Sequence, residues 1–250
     1  MTYRINHLSL VIFRIDFSPI LLLQGSLKPE YQESLRSQFP NFDSKDSFEH
    51  TVILGGASDE KREERLTCKL WEFSNLEKTI KITTRYNWFA VECLKYVSFQ
   101  KFEDSVKTAF TNFKRFYEPI VCKRIGLRYI NSIKIPEGDP FKWAEYLSSF
   151  LANPIEEFPS KESLVRAMSQ YTVAKDDCRI IINSGMPNRE YPNKIGRKEF
   201  TLDFDCASDD CESKEPLSSL RIFHDEIENL FEKCITNKLR SLMGVNHEEG

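Results

Sequence analysis

The most regularly ordered charges in this 250-residue chain are Glu199, Asp203 and Asp205, which alternate with Phe200, Leu202, Phe204 and Cys206. Residues two apart in a strand share a face, so Asp203 and Asp205 would stand side by side. Two such carboxylates are a minimal set for holding a divalent cation, or for acid/base work in a metal-dependent hydrolase. A D-x-D pattern is common, however, and no histidine stands near it, so a solvated sheet face is the simpler expectation. The four histidines, His7, His50, His224 and His247, show no metal-ligand spacing among themselves or with a cysteine. His224, beside Asp225 and off the apolar stripe of its helix, is expected at the surface. Ser98-Phe99-Gln100-Lys101 fits the S-x-x-K of acyl-transfer enzymes without its companion motifs. Gly55-Gly56 lacks the Gly-Lys-Ser/Thr continuation of a phosphate loop and is expected to be a turn. No cofactor or metal is expected, no catalytic residue is assigned, and an enzyme is the less favoured class.

A second set of residues suits binding. Alternation in the strand expected at 65–73 sends Leu66, Cys68 and Leu70 to the core and leaves Thr67, Lys69 and Trp71 opposite. In the next strand Ile80 and Ile82 point inward, with Lys81, Thr83 and Arg85 outward. The segment 186–198 adds Arg189, Lys194, Arg197 and Lys198 around Tyr191, punctuated by proline and glycine. The exposed sheet face therefore reads as basic in the first half and acidic in the second. Phosphate repels Asp203 and Asp205, and a net charge of -3 gives no general basic excess. A protein partner, or the same face of a second copy, fits this pattern better than nucleic acid. A nucleic-acid or nucleotide-binding module is the alternative, and a hydrolase at Asp203/Asp205 the third.

Seven cysteines at scattered positions, with no C-x-x-C, resemble neither a disulfide scaffold nor a zinc ribbon. They are expected to be buried thiols in a reducing compartment. The run Leu8–Phe13 is broken by Ser9 and followed by Arg14 and Asp16, unlike a secretory signal, and Ile20–Leu23 is too short for a bilayer. The expected location is cytoplasmic, without membrane association.

The elements that would position these residues follow one order twice. A strand at 7–17 precedes a short helix opened by Pro29, with Tyr31, Leu35 and Phe39 along one side and Pro40 closing it. A polar loop at 41–50 leads to strands at 51–54, 65–73, 78–86 and 88–96. Ser98 then caps a long helix striped by Phe99, Phe102, Val106, Phe110, Phe113 and Tyr117. The second half offers a strand at 125–135 and a helix opened by Asp139-Pro140 that buries Trp143, Leu147, Phe150 and Leu151. Strands at 163–174, 178–184 and 199–206 follow. A final helix from Pro216 carries Leu220, Phe223, Ile227, Leu230, Phe231, Cys234 and Leu242. The expected fold is α+β, a tandem duplication of a β-α-β(3-4)-α helix-grip unit. Residues 1–123 and 124–250 would be the copies, packed as one unit. Their curved antiparallel sheet would carry helices on one face, in a TATA-binding-protein-like arrangement.

Three segments carry a family resemblance: Phe17-Ser18-Pro19; Arg124-Ile125-Gly126-Leu127-Arg128-Tyr129-Ile130-Asn131 through Ile135-Pro136; and Phe231-Glu232-Lys233-Cys234-Ile235-Thr236-Asn237-Lys238-Leu239-Arg240. Together they resemble a sporadically distributed, uncharacterised prokaryotic protein family of about this length. The resemblance spans most of the chain and implies Gly126, Arg128, Tyr129 and Asn131 as motif residues, without an activity. The patchy distribution of that family is similar to that of antiphage-defence or toxin–antitoxin components, which implies work beside a partner effector. The leading expectation is a non-enzymatic protein-binding or assembly subunit whose partner is an operon neighbour or a second copy.

Overall fold

The computed structural model describes residues 3–54, 61–209, 211 and 214–244, the side chains of 49–54 and 61–66 excepted. Gly55-Gly56, expected to be a turn, His247, and the side chains of His50 and Leu66 lie outside that description. In chain order the elements are β1 (Leu8–Phe17), a 3-10 turn (Leu21–Gln24), α1 (Pro29–Leu35), β2 (Asn41–Leu54), β3 (Lys61–Ser74), β4 (Ile80–Thr84), β5 (Trp88–Cys93) and α2 (Phe99–Tyr117). There follow β6 (Cys122–Lys134), α3 (Ser149–Glu156), β7 (Ala167–Ala174), β8 (Arg179–Met186), β9 (Glu199–Ser208), α4 (Pro216–Cys234) and α5 (Asn237–Met243). The strands make one antiparallel sheet in the order β2-β3-β4-β5-β1-β6-β9-β8-β7. Each half closes its last strand against its first, β5 on β1 and β9 on β6, and β1 pairs with β6 at the centre. The sheet is thus continuous across residue 123.

One face of this sheet is apolar. Val11, Phe13, Ile15 and Phe17 of β1 are buried at alternate positions, as are Phe200, Leu202, Phe204 and Cys206 of β9. The same core takes Phe102, Val106, Phe110 and Phe113 from α2, and Leu220, Phe223 and Ile227 from α4. Burying each such side chain is worth about 2 kcal/mol, so the helices and that face hold each other. Ser98 caps α2 as expected, its side chain accepting from the Lys101 amide. No described helix is long and apolar enough to cross a membrane.

Four expectations need correction. Residues 41–50 are strand, not loop, because β2 is an edge strand whose polar side chains pair along β3 instead of entering a core; Lys45 with Glu72 and Lys69 with Asp46 are examples. Residues 140–148 are not helical. The Asp139 carboxylate does accept from the Phe141 amide and its carbonyl from the Lys142 amide, but the amides of Trp143 and Ala144 donate to the Glu156 carboxylate. Tertiary packing of Trp143 on Phe200, with ring centroids 5.2 Å apart, replaces helix there, and α3 starts only at Ser149. Phe150, expected inside, is 47% exposed. The last helix breaks at Ile235, which is extended and bridges to Leu147, and Thr236 then caps α5. Leu242 consequently faces solvent.

In β3, lastly, the buried phase is the reverse of the one expected. Trp71 pairs with Thr84 and Phe73 with Ile82, all four on the core side, so Cys68, Leu70 and Glu72 share the other face. Trp71 is in the core, its indole N–H donating to the Leu23 carbonyl at 3.1 Å and its ring lying parallel to Phe42.

Candidate functional site

The strand β6 presents the motif residues to both sides of the sheet. Gly126 and Arg128 lie on the polar face, Tyr129 and Asn131 on the helix-covered one. On the polar face the Arg128 guanidinium grips Asp203 through two parallel hydrogen bonds of 2.8 and 2.7 Å, and Asn183 donates to the same carboxylate at 3.4 Å. Arg124 lies 3.2 Å from Asp205 and 3.7 Å from Asp16, which also accepts from Arg14. A Cβ on Gly126 would stand 2.8 Å from the Arg124 guanidinium, so glycine gives that side chain its lane. Asp203 and Asp205 do share a face, but arginines occupy both. No cluster of three metal-binding side chains occurs among the described residues.

The basic half is likewise interleaved. Lys81 stands 3.0 Å from Glu92 and 3.5 Å from Glu72. Arg85 is buried, its guanidinium 2.9 and 3.1 Å from the Cys68 sulfur. Lys69 and Trp71 lie on the opposite face, so the four residues form no common patch. The inferred split into a basic and an acidic half is therefore overturned: Glu72, Glu92 and Asp16 fill one side, and Arg124 and Arg128 the other. In the 186–198 segment Arg189 pairs with Glu199 and Arg197 with Glu190. Lys198 is buried over the Tyr146 and Trp143 rings, burial lowering its pKa, while Lys194 is exposed.

Behind β6, Tyr129 and Asn131 line a cleft of about 160 Å³ with Tyr3, Tyr96, Phe99 and His224, room for about five waters. The Tyr129 hydroxyl is 3.0 Å from His224 Nδ1, and the imidazole stacks on Phe99 with ring centroids 3.8 Å apart. His224 is thus half-buried at a helix junction instead of on the surface. Its position three residues before Ile227 and one after Phe223 marks the edge of the apolar stripe, a signal that a strict stripe overlooks. Burial raises the Tyr129 pKa and pushes that of Tyr96 up to about 12, so both hydroxyls keep their protons. Burial also lowers the His224 pKa from its ordinary 6.5. The folded protein then binds a proton here less readily than the unfolded chain. The stability from neutral His224 is complete above the ordinary value and is lost as pH falls through the lowered one. Between about pH 7.5 and about pH 5, wild-type Tm is expected to fall more steeply than that of His224→Gln. His7, also lowered by burial, acts equally in both proteins, so parallel curves would remove His224 as the source.

The two edges of the sheet contrast sharply. Edge strand β2 carries Asp43, Lys45 and Asp46. Edge strand β7, Ala-Met-Ser-Gln-Tyr-Thr-Val-Ala, carries no charge and no proline. Its Lys175 end bonds through the amide to the Cys178 carbonyl at 2.9 Å, in the same register as the β7–β8 ladder. Bonded pairs alternate in such a ladder, so the odd-numbered residues bond to β8. Met168, Gln170, Thr172 and Ala174 direct their N–H and C=O groups away from the sheet. Beside them Tyr171 meets Phe150 edge-on, and Phe150, Phe158, Met168 and Tyr171 are all exposed. An apolar groove of about 340 Å³ runs between α3 and β7 along this lip.

All seven cysteines are buried thiols, with Cys122 beside Cys211 and Cys178 beside Cys206. Burial raises the pKa of Cys122 and of Cys206, which keeps both protonated and poorly nucleophilic. Compared with known proteins, the chain matches no family model and no curated protein.

Proposed function

We propose that the chain is a protein-binding or assembly subunit that acts with a partner effector. One observation carries this reading: among the described residues β7 is an open, uncharged edge strand beside an exposed apolar lip. Unpaired edge groups are a template for another strand, and proteins usually blunt such edges with charge or proline, as β2 does. An added strand would gain main-chain hydrogen bonds from Met168 to Ala174 and seat alternate side chains against Phe150 and Tyr171. The polar face, by contrast, satisfies its own charges, which weakens the case for a nucleic-acid site at Lys81 and Arg85 and for a hydrolase at Asp203 and Asp205.

The two halves are read as tandem copies, 1–123 and 124–250, similar in plan to TATA-binding-protein-like folds. The matching antiparallel closure of β5 on β1 and of β9 on β6 supports that reading. The setting proposed is antiphage defence or a toxin–antitoxin pair, in the cytoplasm. The test is co-expression with the products of neighbouring genes, comparing the wild type with Thr172→Pro. This substitution removes an outward amide while sparing the β8 ladder. Loss of assembly in Thr172→Pro, whether with a neighbouring gene product or between copies of the chain, is expected. Assembly of every kind unchanged by this substitution would discard the edge as the binding surface.

A further inference from the structure

Resting on that protein-binding reading, we infer that the strand β7 accepts is the β7 strand of a second copy, joining two sheets about a two-fold axis. A two-fold axis perpendicular to the sheet makes adjoining strands antiparallel and keeps apolar face with apolar face. It therefore requires that residues sharing a face lie opposite one another. Because the even-numbered residues of β7 point outward, the bonded pairs must join even to even.

Two registers nearest the middle of the strand meet these conditions. With Gln170 on the axis, Arg166 would face Ala174 of the second copy, and Asp176 would face Leu164. With Tyr171 on the axis, Gln170 faces Thr172, Met168 faces Ala174, and Arg166 faces Asp176 at both ends. Arg166 and Asp176 are both exposed and flank the strand, one just before it and one just beyond it. Charge complementarity thus selects the second register. The same register brings the two Tyr171 rings together, with Phe150 of each copy on the same side of the sheet to cover them. Like charges would meet their own images across such an axis, and β7 has none. The groove along α3 and β7 is lined by Phe150, Ile155, Phe158 and Leu164, side chains suited to the apolar lip of a second copy.

The charge pair makes the test specific. Sedimentation equilibrium of the full chain over a concentration series is expected to show a reversible dimer. Thr172→Pro should weaken association roughly tenfold or more, through lost outward hydrogen bonds. Its circular dichroism and melting should stay close to wild type. Arg166→Asp and Asp176→Arg should each weaken self-association, since each places like charges at both ends of the seam. Mixed together, they should form a heterodimer more tightly than either forms a homodimer, because both ends then regain opposite charges. Asp176 lies in an exposed turn, so this arm stands even if the proline variant misfolds. A wild-type chain that stays monomeric at every concentration would overturn the inference. So would a dimer whose strength ignores both charge reversals. A monomer whose co-elution with a different protein is lost in Thr172→Pro would overturn the second copy as occupant while leaving the protein-binding reading intact.

Discussion

Phe113→Ala is expected to lower unfolding stability by about 3–5 kcal/mol, the range for truncating a buried aromatic side chain. Phe113 is fully buried, and its ring lies 5.4 Å from Phe17, 5.1 Å from Phe89, 6.0 Å from Tyr31 and 5.1 Å from Tyr117, centroid to centroid. Those partners belong to β1, β5, α1 and α2. A hole left among four elements does not close by one helix sliding inward, which puts the cost at the upper end. Domains of this kind have a total stability of about 5–15 kcal/mol, so the variant would forfeit a large part of it. Urea unfolding followed by fluorescence measures this directly. A loss below about 1 kcal/mol would mean that the cavity collapses and that α2 is not pinned at this point.

Gly185→Ala should be the most damaging glycine-to-alanine change among the described residues. Gly185 has φ of +141°, a conformation that costs a residue with a Cβ about 1–3 kcal/mol. The added Cβ would also stand 2.1 Å from the Ala167 carbonyl oxygen and 2.9 Å from the Met168 Cα. Both are backbone atoms, so β7 itself must move. A total loss of about 2–4 kcal/mol is expected, concentrated where β7 meets β8. Since β8 is the one strand paired with β7 among the described residues, amide exchange at Ala167 and Ser169 should accelerate, while that of β1 and β6 changes only with global stability. Wild-type melting with unchanged protection at Ala167 would contradict the close approach. The same variant should weaken any assembly through β7.

Several parts of this architecture are legible in the residues because local and tertiary demands agree. The Ser98 cap and the phenylalanine stripe specify α2, and the alternation from Glu199 to Cys206 specifies which side of β9 is buried. Where they disagree, pattern misleads. In β3 both phases contain apolar residues, Cys68 and Leu70 on one and Trp71 and Phe73 on the other. Only the distant Leu23 carbonyl and the Phe42 ring settle which phase lies inside. The polar stretch 41–50 shows no alternation because an edge hairpin buries little, yet it is strand. Trp143 lies within a helix-like pattern, but its burial against Phe200 and the Glu156 carboxylate outcompete local propensity. The charge balance of the polar face was hidden for a related reason. Arg124 and Arg128 are distant in sequence from Asp205 and Asp203, and only strand pairing brings them together. The β7 edge was hidden too, because a strand's place at the margin of a sheet is a property of topology, not of composition.

The central pairing of β1 with β6 has a consequence for synthesis on the ribosome. β1 emerges early, but the strand that covers its second edge is translated more than a hundred residues later. In the interval the nascent first half can close β5 onto β1 while leaving Leu8–Phe17, a mostly apolar strand, with one side bare. A ribosome stalled before β6 would hold a chain prone to clumping with its neighbours, and chaperone demand should drop once Cys122–Lys134 clears the exit tunnel.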